Sequence, residues 1–275
     1  MSMQSINGLI SIREAAQLLG ISQSTLKRMA DQGLVRAQRT PGGHRRFSRS
    51  DLLAARRVES DELGRWLDLL LSAAPVALVQ AALLEEYADR GSWREVAEFL
   101  GRVLHELGES WARGDCSVAS EHYAAERLHR ALASCADSIA VATNAPTCLL
   151  ATLSGDSHTL GLSLVEIALR ELGWHCHWVG APIPMSFLSQ ALDERKPDLL
   201  VVTASSFSDN RRAIAKEYEH IASACEERAI SLVMGGNGAW PENPRYGKRL
   251  REFRELTEIP HSRARRSERG SRIQP

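Results

Sequence analysis

The residues of this chain best suited to chemistry lie in one short run, Asp156-Ser157-His158-Thr159-Leu160-Gly161. The imidazole of His158 can ligate a metal through one ring nitrogen, and Asp156 can hydrogen-bond the other. Such a bond fixes the tautomer and raises the basicity of the ligand. Gly161 allows the backbone to approach a ligand closely. Because three such residues within six also occur by chance, an ordinary surface-loop histidine is the alternative interpretation.

The segment around this run alternates apolar strands with amphipathic helices. Such alternation predicts a doubly wound parallel sheet, which binds its ligands beyond the carboxyl ends of the strands. His158 and Asp156 fall at that edge. The predicted strands are 148–153, 175–179, 198–203 and 230–235, and the predicted helices are 160–172, 184–195 and 209–228.

Two further segments reach the same edge. Thr203 and Ser205 follow the third predicted strand, and Gly235 and Gly236 follow the fourth. Taken alone, each is also ordinary turn chemistry. Together with Asp-x-His-x-x-Gly between a strand and a helix, they resemble cobalamin-binding domains. The resemblance implies that His158 is the lower ligand of cobalt, and that the hydroxyl and glycine segments line the slot for the displaced nucleotide tail.

The first 57 residues have the pattern of a helix-turn-helix. Ser11 and Glu14 have the spacing of a capping box, and the apolar residues after Ser11 share one helical face: Ile12, Ala15, Ala16, Leu18 and Leu19. Gly20 ends this helix, and a second helix runs from Ser22 to a stop at Gly33. The second helix presents hydroxyls and cations suited to base edges and phosphates in a major groove: Ser24, Thr25, Lys27 and Arg28.

A glycine-rich wing follows at residues 39–47. Pro41-Gly42-Gly43 predicts a tight reversal between two short extended arms, with Phe47 packed on the core. The cations of this segment would then lie at the height of DNA phosphates: Arg39, His44, Arg45 and Arg46. The order of helix-turn-helix, wing and further helix from Asp51 closely resembles the DNA-binding domain of MerR-family transcription regulators. The resemblance implies a dimer that binds a pseudo-palindromic operator.

The middle of the chain is acidic, and its periodicity predicts four helices that form a bundle: 63–71, 75–89, 92–112 and 117–142. Trp111 is followed, after nine residues, by Glu121-His122. Alone, such a Trp is more typical of a core and such a pair of a solvated face. Directly before a cobalamin-type domain, the spacing is similar to the upper cap of the CarH family of B12-dependent photoreceptors. The resemblance implies that Trp111, Glu121 and His122 contact the 5′-deoxyadenosyl group of adenosylcobalamin.

One position departs from that family. Its light-triggered members have a His directly after the Trp, which takes the upper face of the cobalt once the adenosyl group is lost. This chain has Ala112 there, and alanine cannot ligate cobalt. Either another histidine replaces it (His122, His105 or His129), or water stays above the cobalt, or the light response is altered or lost.

Charge is unevenly distributed along the 275 residues, although the formal net charge is zero. Residues 1–57 have ten Lys and Arg against three Asp and Glu, residues 245–275 have ten against four, and the middle has 14 against 27. A basic terminus on an acidic body is typical of nucleic-acid binding. Five widely spaced cysteines without a CxxC pair indicate neither a zinc site nor a disulfide framework. With no signal-peptide or membrane-span pattern, we expect a cytoplasmic protein without membrane partners.

We therefore predict a multidomain α and α/β protein. Its domains are a winged helix-turn-helix at 1–60, a four-helix bundle at 61–143, a Rossmann-like, doubly wound cobalamin-binding domain at 144–257 and a basic, disordered tail at 258–275. By resemblance to the CarH family over residues 9–257, it is expected to be a light-responsive, adenosylcobalamin-dependent repressor. It would bind operator DNA as a cofactor-dependent dimer or tetramer, and it is not expected to be an enzyme.

Three alternatives stay open. The regulator could sense cobalamin supply or cobalt redox state without light, which is consistent with Ala112. The B12 domain could carry methyl groups for an enzyme partner, as in corrinoid methyltransferases, although the basic N-terminal domain opposes this. Finally, the site could be vestigial, in which case operator binding would not depend on cofactor. The sequence contains no P-loop and no GxSxG nucleophile elbow.

Overall fold

The computed structural model describes residues 9–19, 21–31, 35–180, 185–206, 208 and 210–259. They fall into two compact units, which divide between Asp68 and Leu69. In this part of the chain no helix is long and apolar enough to cross a membrane. Gly20 and Gly33, which the sequence analysis assigned to helix ends, and the predicted tail from residue 260 onward lie outside the described residues.

The first unit has the predicted winged helix-turn-helix fold. Its elements are β1 (Leu9–Ser11), α1 (Ile12–Leu19), α2 (Gln23–Asp31), β2 (Ala37–Arg39), β3 (Arg45–Ser48) and α3 (Arg49–Leu71). The strands form an antiparallel sheet in the order β1-β3-β2. Ser11 and Glu14 form the predicted capping box, since each backbone N–H donates to the other side chain. Sequence reasoning missed β1, because three residues are too few for a strand pattern.

The wing turns as predicted. Gly43 has a φ of +79°, a conformation that favours glycine, and the N–H of Thr40 donates to the carbonyl of His44 at 2.9 Å. Phe47 is fully buried and belongs to the core of this unit, which also contains Ala15, Ala16, Leu26, Val35 and Leu52.

The helix after the wing is longer than expected. The predicted helix from Asp51 and the predicted helix at 63–71 are one element, α3, which continues through residue 60. No proline interrupts Arg49–Leu71, and its single glycine, Gly64, costs only about 1 kcal/mol of helix propensity. The predicted first bundle helix is therefore not a separate element.

Three more helices open the second unit: α4 (Val76–Arg90), α5 (Trp93–Arg113) and α6 (Val118–Ser138). The Ser92 hydroxyl caps α5 and the Ser117 hydroxyl caps α6. Gly91 and Gly114 close α4 and α5 in the left-handed conformation. Helix α6 ends four residues before the predicted residue 142.

The rest of this unit is the predicted parallel sheet with helices on both faces. Its elements are β4 (Thr147–Thr152), α7 (Leu160–Glu171), β5 (His175–Gly180), α8 (Met185–Arg195), β6 (Leu199–Thr203), α9 (Arg211–Arg228), β7 (Ser231–Gly235), β8 (Lys248–Arg249) and a 3₁₀ helix (Phe253–Glu258). The strand order is β5-β4-β6-β7-β8, all parallel. In such an order the crevice lies beyond the carboxyl ends of β4 and β6. Strand β8 and the 3₁₀ helix were not predicted.

Helix α7 lies between the sheet and the helices α5 and α6. All eight residues from Leu162 to Leu169 are buried, so α7 is covered on every side. Helices α8 and α9 cover the other face of the sheet through a second apolar core. Within this unit, α7 thus joins helices α5 and α6 to the sheet.

Candidate cofactor site and nucleic-acid interface

The loop between β4 and α7 carries the predicted ligand pair. Asp156 is 4% exposed, and its Oδ1 accepts a hydrogen bond from the backbone N–H of His158 and lies 3.0 Å from His158 Nδ1. Its Oδ2 accepts from the backbone N–H of Ser205 and, at 3.0 Å, from the Ser208 hydroxyl. The side chain of His158 is 52% exposed. A buried carboxylate thus holds a histidine ring at the surface of the crevice.

The charge of Asp156 suits this role. Burial raises the pKa of its carboxyl, but hydrogen bonds from Ser205, His158 and Ser208 outweigh burial, and the pKa lies below its usual value. The carboxylate is therefore ionised at neutral pH and favours a proton on Nδ1 of His158. Ser205 Oγ also lies 3.2 Å from that nitrogen. Ligation of a metal would consequently use Nε2.

The donor set fits a metal that brings its own ligands. Within the described ranges, no group of three or more His, Cys, Asp and Glu residues could hold a metal ion. A single histidine beside an open crevice suits the cobalt of a corrin, because the macrocycle supplies the equatorial nitrogens. A Cβ at Gly161 would meet no atom within 4 Å, so the first turn of α7 leaves room for a large ligand.

Thr203 ends β6 at the same edge of the sheet. It is 6% exposed, and its hydroxyl has no hydrogen-bond partner among the residues that the structure describes. A buried polar group without a partner costs about 1–3 kcal/mol, and a bound ligand would supply the missing bond. Gly235 lies next to Thr203, since a Cβ there would be 3.5 Å from Thr203 Cγ2.

Gly236 has a role that the sequence did not indicate. Its φ is +79°, and a Cβ would lie 2.3 Å from the carbonyl oxygen of Ala204. The loop after β7 therefore packs against the loop after β6 at a distance that only glycine allows. This contact supports the crevice wall.

The predicted upper-side residues lie at one end of the α5–α6 hairpin. Trp111 is near the end of α5 and 39% exposed. Glu121 and His122 are in the first turns of α6, with Glu121 Oε2 2.8 Å from His122 Nδ1. The His122 side chain is 74% exposed. The indole and the imidazole are therefore both accessible to a ligand.

The other two histidines proposed as replacements for the upper ligand differ in setting. His105 is exposed on α5. His129 is half-buried on α6, with Nδ1 2.8 Å from the hydroxyl of Ser163 on α7. Its ring also meets Trp178 edge to face, with centroids 5.9 Å apart.

Four of the DNA-binding candidates, Lys27, His44, Arg45 and Arg46, line a groove of about 320 Å³ between α2 and the wing. Its lining comprises Ser11, Ile12, Lys27, Gly43, His44, Arg45 and Arg46. Ser24 and Lys27 are exposed on α2, and Arg39 and His44 are exposed at the wing. Thr25 and Arg28 lie on α2, but their side chains are outside the described set.

Arg45 differs from the other cations of the wing. Its side chain is 13% exposed, donates to the backbone carbonyl of Lys27 at 2.6 Å and pairs with Asp31. The hydrogen bond from Arg45 lowers the pKa of Asp31. Arg45 therefore ties the wing to the end of α2.

Sequence reasoning missed Ser208 and the His129–Ser163 contact. Ser208 follows Ser205 and Ser206 in a hydroxyl-rich segment, and nothing in the spacing indicates which hydroxyl reaches Asp156. The His129–Ser163 pair joins residues 34 positions apart. Only the packing of α6 on α7 brings them together.

The segments that contain these residues match known protein families. A helix-turn-helix domain family matches residues 9–67, and two B12 binding domain families match residues 62–135 and 146–246. The monomethylamine corrinoid protein of Methanosarcina barkeri superposes with a TM-score of 0.53 over 70% of this chain and 94% of that chain. At 13% identity, this likeness concerns the fold alone.

Two transcriptional repressors of Myxococcus xanthus align with nearly the whole chain. The HTH-type transcriptional repressor CarA is 30% identical over 261 residues, covering 84% of this chain and 87% of that protein. The HTH-type transcriptional repressor CarH is 23% identical over 277 residues, covering 83% and 89%. With a helix-turn-helix followed by B12 binding domains, the chain belongs to the family of HTH-type transcriptional repressors that includes CarA and CarH.

Proposed function

We propose that this protein is a repressor whose binding to operator DNA is controlled by adenosylcobalamin and by light. The observation that carries the proposal is Asp156, which is buried, ionised and shared between His158 and the serines after β6. This arrangement orients an imidazole toward an open crevice, within the segment that matches a B12 binding domain. Orientation of a ligating histidine by a carboxylate is worth 10–100-fold in metal affinity, as an order of magnitude.

The residues around the crevice have distinct roles in this proposal. His158 would ligate the cobalt through Nε2, and Gly161 would leave space for the corrin. Thr203, Ser205 and the Gly235-Gly236 segment line the slot for the nucleotide tail, where the Thr203 hydroxyl gains a partner. When bound, adenosylcobalamin supplies a cobalt–carbon bond that light can break.

Helices α5 and α6 form the helical cap, which would contact the adenosyl group. Trp111 offers a flat apolar surface to the adenosyl group, and Glu121 and His122 offer hydrogen-bonding groups. The cap and the sheet share one compact unit, so occupancy of the crevice can affect the packing of the helices. The proposal assigns the chain a DNA-binding domain, a capping bundle and a cofactor domain. Helix α3 continues through the predicted boundary at residue 60, and the two compact units divide instead between Asp68 and Leu69.

Control of DNA binding follows from assembly. A cofactor that binds the oligomer more tightly than the free subunit shifts the assembly equilibrium by that difference in affinity. Several DNA-binding units in one assembly raise each other's effective concentration at the operator. Disassembly would then lower operator affinity without any change in an individual winged helix-turn-helix. A dimer or tetramer satisfies this scheme.

A second candidate is a cobalamin or redox sensor that does not respond to light. It is favoured by Ala112, which stands beside Trp111 on α5 and cannot replace a lost upper ligand. This candidate keeps cofactor-dependent DNA binding and predicts no change on illumination.

Size-exclusion chromatography with absorption spectra, in the dark and after green light, tests both candidates on the full chain loaded with adenosylcobalamin. A large dark assembly that becomes smaller on illumination supports the light-controlled repressor. A bound cobalamin with no change in assembly on illumination supports the second candidate. Absence of bound cobalamin contradicts both.

The variant His158→Ala tests whether this histidine holds the cofactor. We expect it to weaken cofactor binding and cofactor-dependent assembly together, because the imidazole is the protein's ligand to cobalt. Unchanged assembly by this variant would contradict the proposed control. His105→Ala, an exposed histidine on α5, serves as the control for loss of an imidazole elsewhere.

A further inference from the structure

Helix α7 buries two polar side chains in an otherwise apolar stretch. Ser163 is 3% exposed and Glu166 is 6% exposed. Burial of polar groups is unfavourable unless they are hydrogen-bonded. Glu166 accepts from Trp178 Nε1 at 2.6 Å and from Arg170 Nε at 3.1 Å, and Ser163 has His129 as its partner on the capping helix α6.

Ser163, the partner of His129, also bonds the ligand loop, which is the loop between β4 and α7 that carries His158. The hydroxyl of Ser163 donates to the carbonyl of Thr159 at 3.3 Å, and its backbone N–H donates to the same oxygen at 2.9 Å. Thr159 directly follows His158 in the chain. His158 therefore lies between two fixed points, Asp156 on one side and Thr159 on the other.

The geometry of these bonds defines what the side chain at position 129 must supply. The Ser163 hydroxyl has one proton, which it can give to the Thr159 carbonyl at 3.3 Å or to Nδ1 of His129 at 2.8 Å. The side chain at position 129 donates in the first case and accepts in the second. Glutamine can do either and phenylalanine can do neither.

We propose that His129 is a positioning residue of the cofactor site, which connects the capping helix α6 through Ser163 to the backbone that carries His158. This inference rests on the proposed cobalamin binding and goes beyond it, because it assigns the contact that couples the cap to the lower side of the site. His129 does not ligate cobalt in this role. It holds the loop so that His158 and the cap are placed relative to one another.

Arg170 provides a matched control within the same helix interface. It donates to the carbonyl of Ala136 at 3.1 Å and pairs with Asp137, both near the end of α6. It thus joins α6 to α7 as His129 does, but two turns farther from the ligand loop. A substitution there removes the contacts with α6 and with Glu166 but leaves the bonds between Ser163 and Thr159 in place.

The experiment is titration of the full chain with adenosylcobalamin and with hydroxocobalamin in the dark, following absorbance and, for the reduced cofactor, the electron paramagnetic resonance pattern of a nitrogen-ligated cobalt. We expect His129→Phe to bind about tenfold more weakly, by analogy with other outer-shell residues, and to lose part of the histidine-ligated signal. His129→Gln should restore most of both. Arg170→Gln should lower the urea midpoint of unfolding while leaving the affinity and the spectrum unchanged.

Several results overturn the inference. Wild-type affinity and spectrum in His129→Phe would do so, as would an equal loss of affinity in Arg170→Gln, which would reduce the role of His129 to interface stability. If His129→Phe does not fold, Ser163→Ala decides in the same way, because it removes the hydroxyl that bonds both His129 and Thr159. A wild-type chain that binds neither cobalamin contradicts the proposed function as well, whereas a binding wild type with unaffected variants contradicts this inference alone.

Discussion

Replacing Arg46 with alanine is expected to remove a phosphate contact from the DNA complex, whereas replacing Arg45 is expected to weaken binding without removing one. The two residues are neighbours on β3, where side chains alternate between the faces of the sheet. Arg45 shares the face of the buried Phe47 and bonds the Lys27 carbonyl and Asp31. Arg46 is on the opposite face. Both arginines line the groove beside α2, but the bonds of Arg45 commit it to α2.

The magnitudes follow from counterion release and from the bonds of Arg45. Each phosphate contact contributes about −0.9 to the slope of log K against log salt concentration. Arg46→Ala should make this slope shallower by about 0.9. Between 0.05 and 0.2 M salt, the variant should therefore lose affinity by a factor roughly 3.5-fold smaller than the wild type does. Arg45→Ala should keep the slope. Its charge-assisted bond to the Lys27 carbonyl contributes about 1.5 kcal/mol to fixing the wing, so affinity should fall by up to about tenfold at every salt concentration.

Fluorescence anisotropy measures both variants on one labelled duplex, enriched from random DNA with the wild-type protein, at several salt concentrations. Arg39→Ala, a second exposed cation at the wing, should behave like Arg46→Ala. The reasoning is refuted if Arg45→Ala makes the slope shallower by about 0.9, or if Arg46→Ala leaves it unchanged.

Further predictions concern the cofactor unit. Asp156→Asn should weaken adenosylcobalamin binding by about 10–100-fold, because it removes the charge that orients the ligand; equal affinity in a spectroscopic titration would contradict this. Gly236→Ala should lower the unfolding free energy by about 2 kcal/mol or more, since its Cβ meets a backbone oxygen at a positive φ. Gly161→Ala should leave stability unchanged or raise it by up to about 1 kcal/mol yet weaken cofactor binding, and normal binding would show that the corrin does not approach there. Burial raises the pKa of Glu98, so its favourable contribution to stability is present at low pH and is lost as pH rises through the folded-state pKa. Urea unfolding should therefore show Glu98→Gln gaining stability relative to wild type as the pH rises above about 4, and a difference that does not change with pH would refute the effect.

Much of the fold could be predicted from local pattern. The capping box of Ser11 and Glu14, the Pro-Gly-Gly reversal and the glycines at helix ends act within a few residues of the chain, so their geometry follows from sequence. The parallel sheet was predictable because buried strands alternate with amphipathic helices. Elements of two or three residues, such as β1 and β8, carry too little pattern to be recognised.

The ligand pair was predictable for a related reason. Asp156 and His158 are two residues apart in one loop, and a hydrogen bond between them needs only local geometry. That Asp156 is buried and shared with Ser208 was not predictable, because Ser208 is 52 positions away. Arg45 was assigned to phosphate contact from its charge alone, and its pairing with Asp31 required the packing of the wing on α2.

The sequence by itself determined the order of the elements, the edge of the sheet at which the site lies and the residue types available there. Only the tertiary structure decided which serine supports Asp156, which arginine of the wing is committed to α2 and which histidine of α6 contacts Ser163 on α7. The physical reason is that hydrophobic periodicity is written along the chain, whereas a hydrogen bond between distant segments depends on how closely two independently formed elements pack.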